Sequence, residues 1–154
     1  MIELNSKTQQ DFLNREWVKK LLDVGVNMSD AKYCIGKGIA SGTDYILLKS
    51  EIDNYTFDGN TIPTYTVSEL LYKPHEYIYP TINGIEYSGG LNLWKDAPFY
   101  VAQYRLRDKD GKHNEAKFFC TKEYPIESLA SLLIQCHKYD IGFTRKDTGD
   151  ISDK

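Results

Sequence analysis

The sequence predicts an α+β fold in which an antiparallel sheet packs against an N-terminal and a C-terminal helix, and three observations predict it. Residues 125–138 carry apolar side chains at helical spacing, residues 13–24 do the same near the other end, and residues 98–120 contain the clearest β-hairpin. With 154 residues, 41% of them apolar and 27% charged, the chain can bury a core but is short for two ordinary domains. One domain over residues 1–143 is therefore expected, followed by a polar tail at 144–154.

The first helix is expected over residues 8–24. Leu13, Trp17, Leu21 and Val24 share one face, widened by Val18 and Leu22, while Arg15, Glu16, Lys19, Lys20 and Asp23 fall opposite. Asp11 with Arg15 and Glu16 with Lys20 stand four apart in the favourable acid-first order, so the charged side is accounted for by helix stability. Gly25 closes the segment. Residues 31–50 read as a hairpin turning at 40–43, with Tyr45, Ile46, Leu47 and Leu48 on the return strand. In TYTVSELLYKP, Thr66 and Glu69 have the spacing of a capping box and Tyr65 and Leu70 that of a hydrophobic staple, so a short helix is expected until Pro74.

From Glu76 to Cys120 the pattern is β-rich. Tyr77 and Tyr79 alternate before Pro80, Asn83-Gly84 makes a turn into residues 85–87, and Gly89-Gly90 separates that strand from 91–94. Residues 98–107 and 113–120 pair through the turn at 108–111. The last helix opens at Pro125, whose missing N–H costs nothing there, gains from Glu127 in its first turn, and stops at Gly142.

Several kinds of chemistry are excluded by detail. Residues 36–43, GKGIASGT, are glycine-rich, but Gly42 is followed by Thr43, Asp44 and a strand, where a phosphate loop needs Gly-Lys-Ser/Thr opening a helix; they read as strand glycines and a turn. His75-Glu76 begins like HExxH, yet position 79 is Tyr and Pro74 and Pro80 bracket the segment against a helix. Cys34, Cys120 and Cys136 are odd in number and form no C-x-x-C pair, which argues against a disulfide framework and a zinc ribbon. No metal, no cofactor and no catalytic residue is expected. The start, MIELNSKTQQD, has no leader pattern and no apolar run approaches the length of a membrane helix, so a cytoplasmic protein is expected.

Three functional readings remain. The net charge of −3 is unevenly spread: residues 51–96 carry −5 and residues 97–122 carry +3. Tyrosine, with 12 copies, is the compositional oddity, and it offers large contact area at low entropic cost. The leading reading is a non-catalytic protein-binding factor using Tyr77, Tyr79, Tyr87 and Phe99. The alternative is a nucleic-acid accessory protein: strict alternation puts Phe99, Val101, Gln103, Arg105 and Arg107 on one face, with Lys117 and Phe119 beside them on the neighbouring strand. Arg105, Arg107, Lys117 and Phe119 would then neutralise phosphate and stack bases. The third is a cysteine-dependent hydrolase. Cys136-His137 is the one adjacent thiol and imidazole, but neighbours on a helix diverge by about 100°, so His137 cannot serve Cys136, which lies on the apolar stripe.

The leading helix ending in LLDVGV, the TYTVSELL cap and the closing PIESLASLLIQCHKYDIG together resemble small proteins of unknown function encoded by phages, prophages and mobile elements of gut bacteria. The resemblance implies an accessory protein acting on a host or phage component. It implies no site residues.

Overall fold

The structure, a computed structural model, describes residues 1–74, 77–112 and 114–138, and within these the side chains of all but 77 and 114–119. The fold is α+β with antiparallel pairing throughout and a helix in each terminal region, as the sequence predicts. The strands, however, form two sheets rather than one, and the chain gathers into two compact units, Met1–Leu70 and a second beginning at Leu71.

In the first unit, β1 (Ile2–Glu3), β2 (Tyr33–Lys37), β3 (Asp44–Leu48) and β4 (Ile62–Thr64) line up in the order β1-β3-β2-β4. The hairpin β2–β3 is the one expected, with Ile35 opposite Ile46 and Gly36 inside the strand. Helix α1 (Arg15–Asp23) is shorter than its apolar periodicity suggests. Asn14 caps it, its side chain accepting from the Trp17 N–H at 3.0 Å, and residues 5–11 form turns anchored by Thr8 and Asn5. Arg15 reaches across to Asp44 (2.9 Å) rather than back to Asp11, because Asp11 lies outside the helix that would have set the four-residue spacing. Leu13, Val18, Leu21, Ile35 and Ile46 are the centre of this unit. Thr64 donates its hydroxyl to the Leu13 carbonyl oxygen at 2.6 Å, which ties the entry of α1 to β4.

Helix α2 (Val67–Tyr72) starts as its sequence dictates. Thr66 Oγ1 accepts from the Glu69 N–H (3.1 Å) and Glu69 Oε1 accepts from the Thr66 N–H (3.0 Å), a reciprocal capping box, while Tyr65 and Leu70 are both buried. Glu69 also accepts from the Lys32 N–H at 3.1 Å. Thr66→Ala is expected to cost about 1 kcal/mol, measured as a lowered urea midpoint with an unchanged slope; an unchanged midpoint would mean that the cap contributes nothing.

The second unit contains β5 (Tyr77–Ile78), β6 (Thr81–Ile82), β7 (Ile85–Asp96), β8 (Phe99–Asp108), β9 (Asn114–Lys122) and α3 (Pro125–Lys138). The sheet runs β5-β7-β8-β9, with β6 paired to the start of β7. Asn83 and Gly84, both at positive φ (53° and 79°), make the tight turn between β6 and β7. Gly89-Gly90 does not break the strand: β7 runs through both glycines for 12 residues. Gly142 and the expected tail lie outside the described residues. Helix α3 packs on β8 and β9, burying Ile126, Leu129, Leu132 and Leu133, and Ser128 donates its hydroxyl to the Tyr100 carbonyl oxygen at 2.7 Å.

Candidate functional site

The β7–β8 ladder decides which side chains stand together. Leu106 pairs with Gly89, Tyr104 with Leu91 and Ala102 with Leu93, so these share the face against which α3 packs, and Ala102, Tyr104 and Leu106 have no exposure. The opposite face carries Ser88, Gly90, Asn92, Trp94 and Asp96 of β7 across from Arg107, Arg105, Gln103, Val101 and Phe99 of β8. Arg105 and Arg107 are exposed, and their cross-strand neighbours, Gly90 and Ser88, are small. At the other end Trp94 is 40% and Phe99 45% exposed. They are diagonal neighbours, roughly 7–8 Å apart between backbones. Between the two ends Val101 and Gln103 are buried, which the alternation pattern did not indicate.

β5 adds Tyr79 to this face. Ile78 sits opposite Gly89 and is buried, so alternation carried one residue past the strand turns Tyr79 the other way, and it is 53% exposed. The open face thus draws one member or more from each predicted set: Tyr79 and Phe99 from the tyrosine-rich set, Arg105 and Arg107 from the basic set. Trp94 was missed by sequence reasoning. Its signal, a tryptophan in a strand facing away from the helix, exists only once the register is known.

Two predicted members leave the site. Tyr87 pairs with Asp108 on the α3 side and is buried, because the odd positions of β7 point to the core. Lys117 is displaced by a register shift between Gln103 and Tyr104: Phe119 pairs with Gln103, but Lys117 then pairs with Tyr104 and Ala116 with Arg105. The one extra residue in β9 puts Lys117 out of the row of Arg105 that strict alternation had assigned to it. Phe119 keeps the predicted row at the backbone, while its side chain and those of Tyr77 and Lys117 lie outside the described residues, as do His75, Glu76 and His113.

The thiols have a different character. Cys34, Cys120 and Cys136 are all buried and unpaired in disulfides. Burial pushes the Cys120 thiol up to about 11, with Lys122 and Ser131 pulling partly back, and pushes Cys136 higher still, with Cys120 beside it adding to the rise. Both are held as neutral thiols, the form that is not nucleophilic. Among the described residues no three His, Cys, Asp or Glu side chains gather as metal ligands, and no helix is long and apolar enough to cross a membrane. No known protein family, curated protein or solved structure matches the chain.

Proposed function

We propose that this chain is a non-catalytic, cytoplasmic protein-binding factor, an accessory protein of phage or mobile-element origin, whose partner docks on the exposed ends of the face of the second sheet opposite α3. The observation that carries this reading is the pair Trp94 and Phe99, large apolar side chains left 40% and 45% exposed at diagonal positions of the face opposite the helix. Tryptophan, tyrosine and arginine dominate the energetics of protein interfaces, and Tyr79, Arg105 and Arg107 supply the other two types on the same face. The partner would bury the two rings as an apolar anchor and meet the guanidinium groups with acidic side chains.

The test is site-specific photocrosslinking with a benzophenone amino acid at position 99 in the native host, with the same probe at Lys19 as control. A discrete protein adduct at 99, absent at 19 and lost on Trp94→Ala, is expected. Loss of Arg105 and Arg107 to Ala should weaken the adduct and make its yield insensitive to salt. An adduct with nucleic acid, or salt-dependent oligonucleotide binding that the Arg105→Ala, Arg107→Ala variant abolishes, would replace the protein reading with the nucleic-acid one.

A further inference from the structure

The first unit holds a cavity of about 390 Å³ that belongs to none of the surfaces above. One wall is the segment leaving α1, with Val26, Met28 and Ser29; the other is Ile62 and Pro63 of β4 and the turn of 3₁₀ helix after β3, with Lys49 and Ile52. Cys34 also lines the cavity; it sits in the β2 ladder opposite Leu47 on one side and Pro63 on the other and is 2% exposed. Thr61 hydrogen-bonds its thiol.

The walls are held from several directions. Tyr65 donates its hydroxyl to Asp30 at 2.5 Å, the Asn27 side chain accepts from the Ser29 N–H at 2.9 Å, and the Lys49 N–H donates to the Lys32 carbonyl oxygen at 3.0 Å. Lys49 Nζ itself donates to the Ser29 carbonyl oxygen at 3.2 Å, joining one wall to the other. The volume falls within the range of small-molecule sites.

We propose that this cavity binds a small amphipathic carboxylate, its apolar body against Val26, Met28, Ile52 and Ile62 and its carboxylate paired with Lys49. Among the described residues that line the cavity Lys49 alone is charged, which favours an anion over a cation. An ammonium has three donors; the Ser29 carbonyl takes one, leaving two for a carboxylate. A single lysine suits a carboxylate better than a phosphate, which is normally held by several donors at once. The remaining polar lining, Asn27, Ser29 and Thr61, can orient the head group, and the apolar wall takes the tail.

The experiment is calorimetric titration of the full chain with octanoate, octylammonium and 1-octanol. Octanoate is expected to bind at one site and octylammonium to give no saturable signal. Lys49→Met should weaken octanoate about tenfold or more while leaving 1-octanol unchanged, since a charge-assisted contact is removed and the apolar wall is kept. Ile62→Trp, which fills the space, should remove both. Cys34 reports occupancy independently: saturating octanoate should slow its labelling by methyl methanethiosulfonate in the native protein at least severalfold. Equal binding of octanoate and octylammonium, full octanoate affinity in Lys49→Met, or no saturable octanoate binding would overturn the proposal. None of these readouts involves the open face of the second sheet.

Discussion

Gly89→Ala is expected to destabilise the protein by roughly 3 kcal/mol, at the upper end of what overpacking a core costs. A Cβ at this position would lie 2.2 Å from the Arg105 carbonyl oxygen and 2.8 Å from Leu106 Cδ2. A side-chain atom could rotate away, but the Arg105 carbonyl belongs to the β8 backbone, so the β7–β8 ladder has to part to admit the methyl group. The strands come this close where Gly89 pairs with both Ile78 and Leu106, and a glycine in a strand often marks such an approach. The measurement is a urea midpoint lowered by about 1–2 M relative to the unsubstituted chain. Because the same ladder presents Arg105 and Arg107, the crosslink at position 99 should fall with it. A midpoint within error of the parent would show that the ladder opens freely here.

Raising the pH above about 9 should remove stability steeply. Burial is the first cause of an upward shift at Cys34, Cys120 and Cys136 and at the Tyr65 and Tyr104 hydroxyls. In the unfolded chain the thiols ionise near 9.0 and the tyrosines near 10.0, whereas the folded chain keeps them protonated. Above pH 9 the unfolded state therefore binds fewer protons than the native one, and stability falls as pH rises. It is fully present below about pH 9 and is lost progressively toward the folded values. For Cys120 alone, going from 9.0 to about 11 corresponds to about 2 kcal/mol by pH 11, with Cys136 and the tyrosines adding to it. Urea midpoints at pH 7, 9 and 10.5 should fall little over the first interval and drop steeply over the second, and Cys120→Val should reduce the drop. A midpoint unchanged from pH 9 to 10.5 would contradict the burial of these groups.

The candidate surface was half legible. Alternation along residues 99–107 indicates correctly that Phe99, Arg105 and Arg107 share a face, since side-chain direction in a strand follows from position alone. It fails for Lys117 because one extra residue in β9 reverses the assignment of everything beyond it, and nothing in the local sequence marks that residue. Tyr87 fails for a related reason: the tyrosines near residues 72–104 look alike in composition, and register alone separates a buried one from exposed ones. The cavity was not legible at all. Its lining comes from five separate stretches between Leu22 and Pro63, brought together by strand order.

What the sequence by itself determined are the features whose hydrogen bonds close within a few residues. The Thr66–Glu69 capping box, the Asn83-Gly84 turn, the hairpin turns and the Pro125 start of the last helix are each encoded by neighbours in the chain, and each forms where the residues dictate. Only the tertiary structure decided the pairings between distant segments: two sheets in place of one, β7 continuous through Gly89-Gly90, Arg15 held by Asp44, and β4 completing the first sheet beside β2. The physical reason is that local bonds have one candidate partner at fixed spacing, whereas a strand edge or a charged side chain has many. Which of them is taken depends on how the whole set of apolar faces is buried at once.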